Sequence, residues 1–258
     1  MGKTLAITAI AALAAAELMA IQGTVYTETD SKQGDIKWQP RTKSYAVSFK
    51  KGPTVVSAEY PLADVVRLDI PKPAALAKAV EMVDGGQGAA AAPALAKIVA
   101  DYRMLTWDKV AGRYLAQAYL AAGQADKAYA VCNAIIGEDK SAAWSGDLAA
   151  AYWQTLLKLG KGSQLESVLK KAASSGDRAA SAAALVMRGD MIVAAGNDAP
   201  DSLRTALRDG YLRVALMYND PACSRERAEA MMKAAQCFEK LGQVARAEHL
   251  RTQAKKLL

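Results

Sequence analysis

Residues able to do chemistry are sparse and scattered. His249 is the single histidine of the 258-residue chain. A histidine-based metal site therefore has no second ligand, and a lone surface histidine on a helix is the plainer reading. Gly85-Gly86-Gln87-Gly88 has the glycine density of a phosphate loop, but no strand precedes it and no Lys-Ser/Thr follows, so it reads as a turn between helices. Neither a Gly-x-Ser-x-Gly elbow nor a zinc-ligand spacing occurs. Asp84, Glu138 and Asp139 fall at expected loops and helix ends, where solvation accounts for them. The cysteines are Cys132, Cys223 and Cys237; with a helix from Ser224 onward the last two lie roughly 20 Å apart, too far to bridge. Three free or buried thiols are expected. No catalytic residue, metal or cofactor is read from the chain, and a non-enzyme is expected.

The elements that position these residues carry a stronger signal. Val110–Ile136 reads as two short amphipathic helices joined at Gly123-Gln124, with small residues (Ala118, Ala128) where helices must touch and larger ones between (Leu115, Tyr119, Ile135). Gly86, Gly123, Gly160 and Gly196 are spaced 37, 37 and 36 residues apart, and Gly242 follows after 46. Asn219-Asp220-Pro221 breaks the helix in the longer interval. Apolar residues make up 52% but aromatics only 6%, and an apolar content built largely from alanine suits closely packed helix pairs.

On Leu115, Ala116, Ala118, Tyr119, Gly123 and Ala128 the chain resembles a tetratricopeptide repeat (TPR), a helix–turn–helix unit of about 34 residues. Ala235, Phe238, Gly242, Ala247 and Ala254 repeat the match near the C-terminus. Gly112 stands where the family has an aromatic, and Leu165 where it has a small residue. The resemblance implies about five helix pairs over residues 73–258, stacked as an α-solenoid whose first helices line a concave face. It also implies which residues point into that face: Gln117, Gln154, Asp190 and Gln236 as a polar spine, with Arg113 one turn before and Leu120 and Leu157 one turn after. These side chains would hold an extended protein or peptide partner. The several cations of the family's carboxylate clamp are not evident on this face.

The N-terminal part has another texture. Lys3, the apolar run Thr4–Ala16 and Leu18-Met19-Ala20 form a signal-peptide pattern over residues 1–20, cut after Ala16 or after Ala20. An N-terminal helix of the fold is the alternative. The run is too short to span a bilayer comfortably, and no later stretch is read as long enough. Periplasmic or secreted localisation in a bacterium follows as an expectation. Residues 21–72 hold five short segments rich in β-branched and aromatic residues: Thr24–Thr29, Asp35–Trp38, Ser44–Phe49, Thr54–Tyr60 and Asp64–Ile70. Ile36/Trp38, Tyr45/Val47/Phe49, Val56/Ala58/Tyr60 and Val66/Leu68/Ile70 would share the inward face. The order Gly34-Asp35-Ile36-x-Trp38 … Tyr60-Pro61-Leu62 is similar to small SH3-like or Sm-like barrels.

The fold class expected is thus α+β, mainly α: a small β-barrel or meander, then the solenoid. A net charge of +7, unchanged once Lys3 and Glu17 are removed, favours acidic partners. No Lys/Arg cluster interleaved with aromatics points to nucleic acid. The function expected is a non-catalytic scaffold; the rival is a structural or oligomerising subunit of a cell-envelope complex acting through its β domain.

Overall fold

The computed structural model describes residues 20–257; the signal-peptide segment lies outside them except for Ala20. The described residues form a small antiparallel five-stranded sheet followed by helix pairs in a TPR-like arrangement. The change in secondary structure falls near residue 72, whereas the chain divides into two compact units after Lys140.

In the first unit β1 (Ile21–Thr27), β2 (Ser31–Gln39), β3 (Ser44–Lys51), β4 (Thr54–Pro61) and β5 (Val65–Asp69) pair in the order β4-β3-β2-β1-β5. This is a meander whose last strand returns to the first; among the described residues no ladder joins β4 to β5. Lys51 pairs with Thr54, so Gly52-Pro53 is a two-residue hairpin loop. Gly52 has φ +64°, which such loops require at their first central position. Val25, Ile36, Trp38, Tyr45, Val47 and Ile70 form the inner face. Val66 does not join it, being 67% exposed. A bulge between Tyr26 and Thr27 shifts the β1–β5 register, so Val65 packs inward in its place.

So small a sheet cannot bury its own apolar face. Met104 and Leu105, from the segment joining two helices, complete its core. The Tyr45 hydroxyl donates to the Met104 carbonyl at 2.9 Å, and the Trp107 indole donates to the Ile70 carbonyl at 2.8 Å. The helices of this unit are α1 (Ala74–Asp84), α2 (Gly88–Asp101), α3 (Trp107–Ala121) and α4 (Ala125–Glu138). Gly88 lets α2 reach α3: a Cβ there would lie 2.9 Å from the Ala118 Cβ.

The second unit contains α5 (Ala149–Lys158), α6 (Gly162–Ala173), α7 (Arg178–Gly196), α8 (Pro200–Ala206), a π-helical turn (Leu207–Tyr211), α9 (Leu212–Met217), α10 (Ser224–Lys240) and α11 (Val244–Lys255). Ala182, Val186, Leu203, Ala206, Tyr211, Val214, Ala230 and Ala234 make its core. Asp177 caps α7 by accepting from the Ala179 and Ala180 amides at 2.9 and 3.1 Å. Contrary to the sequence expectation, α7 is long and apolar enough to cross a membrane by length and composition; here it carries Ala182 and Val186 into the core and bears Arg188 and Asp190. Trp153 lies on α5 and is buried, whereas Trp144 precedes that helix and is half-buried.

One turn geometry recurs through both units. At Gly123 (φ +71°) the Gln124 amide donates to the Tyr119 carbonyl at 2.8 Å and the Gly123 amide to Leu120 at 3.1 Å. Gly86, Gly160 and Gly242 repeat this bond pair with φ +77°, +66° and +74°. This is the Schellman C-cap, whose left-handed residue is cheapest as glycine. Gly196 departs from the expectation: it is the last residue of α7, packed on Ser202, and the left-handed positions are Asn197 and Asp198 (φ +46° and +61°).

Candidate functional site

The first helices of neighbouring pairs lie side by side within each unit: α1 against α3 in the first, and α5 against α7 and α7 against α10 in the second. That adjacency creates the candidate face. In the first unit Arg113, Gln117 and Leu120 follow one another along α3 at helical spacing, all half-buried. The Arg113 guanidinium lies over the Tyr114 ring at 4.9 Å.

In the second unit Gln154 and Leu157 on α5 are half-buried and Gln236 on α10 is exposed, with α7 between the two helices. Asp190 on α7 has a different environment. It accepts from the Tyr211 hydroxyl at 2.8 Å and pairs with Lys233, which also reaches Glu229 at 3.1 Å. Burial pushes the Tyr211 hydroxyl far above its ordinary value, with the Asp190 charge and hydrogen bond adding to the shift. Burial alone would lower the Lys233 ammonium, but Asp190 and Glu229 outweigh it and the net shift is upward. Asp190 therefore binds α7 to α10 and to Tyr211 as part of the helical packing.

Near the other end of these three helices is a cleft of about 230 Å³ that sequence reasoning missed. Trp144 and Trp153 line it with Asp147, Asp177, Glu226 and Glu229, and with the cation Arg225. Trp153 is fixed by donating to the Ala143 carbonyl at 2.8 Å, and Lys171 lies 4.8 Å from the Trp144 ring centre. Glu226 has one carboxylate oxygen sealed from solvent without a hydrogen-bond partner, and burial raises its pKa. The only sequence signal was acids at helix starts, which also describes ordinary caps.

Among the described residues no group of three or more His, Cys, Asp or Glu is placed to hold a metal ion. None of the three cysteines is in a disulfide, and all are buried; burial pushes the Cys237 thiol up to about 11 and raises Cys223 as well. Thiols held protonated in this way are poor nucleophiles. His249 is exposed on α11.

No family model matches the chain, and no curated protein matches it. Among solved structures it is similar to a Podosopora anserina putative kinesin light chain with nearly identical TPR-like repeats, at 16% identity over 71% of this chain and 92% of that one, with a TM-score of 0.41. MamA of AMB-1 matches at 16% identity over 72% and 98%, with a TM-score of 0.39. MamA of MSR-1 matches at 18% identity over 71% and 94%, with a TM-score of 0.37. Likeness at that level assigns no function; the repeat architecture stands on the recurring Schellman turns and the adjacent first helices.

Proposed function

We propose that the chain is an exported, non-catalytic scaffold that holds a protein or peptide partner on its first-helix faces. The observation that carries this reading is the side-by-side packing of α5, α7 and α10, with amide side chains on the outer two helices and the cleft between all three. Gln154 and Gln236 can each donate to and accept from a peptide backbone. The cleft's four carboxylates outnumber its one lining cation, Arg225, although Glu229 is shared with Lys233; with the two indoles they favour a lysine or arginine side chain of the partner over an acidic one. Export rests on the pattern of residues 1–20.

Selection of a random displayed-peptide library on the full chain tests the scaffold. Recovered peptides should carry Lys or Arg and lose affinity by about tenfold, roughly 1.4 kcal/mol, on Gln154→Ala or Glu229→Gln. Peptides that bind these variants and the parent equally would sink the reading. Mass spectrometry of the chain purified from its native host tests export: loss of residues 1–16 or 1–20 supports it, and an intact N-terminus overturns it.

The second reading, an assembling subunit, draws on the sheet. Its terminal strands β4 and β5 carry Val55 and Val66, 64% and 67% exposed, and open edges of this kind recruit further strands. Light scattering of the full chain and of Val55→Lys and Val66→Lys separates the readings. An oligomer that either variant dissociates favours the subunit, and a monomer throughout favours the scaffold.

A further inference from the structure

A further concavity of the Ser141–Leu258 unit involves α8, α9 and α11 together with the C-terminal end of α10. It is a groove of about 560 Å³ between the α8–α9 run and the turn joining α10 to α11. Leu212, Phe238 and Leu241 form its floor. Leu216 and Met217 stand at its lip, 70% and 65% exposed. Arg204, Arg208, Arg213 and Arg246 surround this apolar strip.

The π-helical turn makes such a strip possible. Arg204, Arg208, Leu212 and Leu216 are spaced every fourth residue. In an unbroken α-helix, at roughly 100° per residue, twelve residues would carry the last of them ~120° around the axis from the first. A π turn absorbs about one extra residue, leaving a drift of only ~20°. Leu207–Tyr211 is that turn, and it lies midway along the strip. The close approach of Gly210 to Gly189 seats it on α7, leaving no room for a Cβ on either residue. The irregularity thus aligns cations and leucines on one face.

The charges are available to a partner. Arg208 pairs with its neighbour Asp209 at 2.8 and 2.9 Å, and Arg204 with Asp201 at 2.8 Å; the arginine side chains are 75% and 64% exposed. Exposed pairs of this kind are weak and exchange readily for an incoming carboxylate. Arg246 donates to the neutral Gln243 amide oxygen at 2.7 Å and lies over Phe238. Arginine also recognises carboxylates in bidentate fashion, which lysine does not.

We propose that this groove docks an acidic amphipathic helix of a partner protein, with its apolar side chains on Leu212, Phe238 and Leu241 and its carboxylates on the arginine rim. Twelve residues of strip correspond to ~18 Å, three turns of a bound helix. The chain's +7 charge would speed the encounter. Leu212, Phe238 and Leu241 are half-buried between helices, which suits an inserted side-chain row better than a flat lipid surface. The proposal is independent of the first-helix faces.

The test uses a labelled peptide of about 14 residues in the repeating order Leu-Glu-Glu-Leu-Leu-Glu-Glu, with a Leu/Lys peptide as control. Anisotropy with the full chain should show saturable binding of the acidic peptide only. The pair Arg208→Glu and Arg213→Glu should weaken it at least about tenfold, as should Leu216→Asp. All three positions are exposed, and unchanged far-ultraviolet dichroism confirms that the variants fold. Gln154→Ala should leave this binding intact. No binding of the acidic peptide, equal binding to the charge-reversed variant, or equal binding of the Leu/Lys peptide would overturn the proposal. So would Arg-dependent binding to phosphatidylserine vesicles without peptide binding, or self-association abolished by Leu216→Asp, each of which gives the groove to another occupant.

Discussion

The two compact units use irregular backbone in opposite ways. In the first, irregularity seals a joint. Between α2 and α3, Met104 and Thr106 have φ +59° and +75°, and Thr106 centres a γ-turn in which the Trp107 amide bonds the Leu105 carbonyl at 2.9 Å. A β-branched residue is a poor occupant of that region. The strain is held because Leu105 fills the sheet core and Asp108 accepts from the Met104 amide at 2.9 Å. In the second unit the irregular π turn opens a surface, lining up residues a regular helix would spread. Local irregularity is thus held by buried contacts in one place and yields an accessible groove in the other.

That contrast can be broken most forcefully at Leu105. Leu105→Ala removes a side chain 1% exposed from the seam between sheet and helices, and should cost roughly 2–5 kcal/mol. Hydrogen exchange should show the loss in β1–β5 and the start of α3, with α7 and α10 unchanged. Equal loss of protection throughout would mean that the units unfold as one, and the comparison would fail. Next comes Gly210→Ala. Its Cβ would meet the Gly189 Cα at 2.9 Å and the Leu185 carbonyl at 3.0 Å, backbone atoms that cannot swing away. The expected cost is about 1–3 kcal/mol, read as a lowered unfolding midpoint, together with weaker binding of the Leu/Glu peptide. A stable variant that binds as before would separate the π turn from the groove.

Asp108 offers a finer test. It is 2% exposed, and Oδ1 has no hydrogen-bond partner. Burial raises its pKa above the ordinary 3.8, although the Met104 amide bond and the Lys109 charge pull the other way. The sign follows from proton linkage: with the folded value above the unfolded one, the folded state binds more protons in between. This residue's contribution is therefore favourable in acid and lost as pH rises from about 4 through the folded value. Asp108→Asn keeps a side-chain acceptor for the Met104 amide. Relative to the parent it should gain stability as pH rises above about 4, on the order of 1 kcal/mol. A difference from the parent that does not change with pH would show that Asp108 titrates normally.

Much of this architecture was legible because its causes are local. All five strands were found within a few residues, since alternation and turn residues act over short spans. The Schellman turns were found because each needs a residue at positive φ, and glycine supplies it. Where another residue can do so the signal fails, as at Asn197-Asp198. Val66 was misplaced because it is the extra residue of a bulge in β5, set by pairing with β1, which reverses the alternation of that strand. The candidate faces were less legible. Asp190 was read as a residue of the groove; its capture by Tyr211 from 21 residues away and Lys233 from 43 was not legible. The acidic cleft joins three helices remote in sequence. The arginine groove depends on a spacing of four that marks no face unless a π turn is present, and Gly210 is the one local hint of that turn.

Thr106→Gly is the smallest expected effect and separates strain from function at the joint. Glycine adopts φ +75° without steric penalty but loses more chain entropy on folding. A strained non-glycine residue costs about 1–3 kcal/mol, and the entropy term returns roughly 0.5–1. A net stabilisation of the order of 1 kcal/mol should appear in denaturant unfolding of the full chain. Thr106→Ala, which keeps a Cβ at positive φ, should give little of it. Peptide binding at Gln154 and at the arginine groove should be unchanged, because in this unit the strain closes a seam and aims no side chain at a partner. Destabilisation by Thr106→Gly would instead mean that the threonine side chain makes a contact worth more than the strain it imposes.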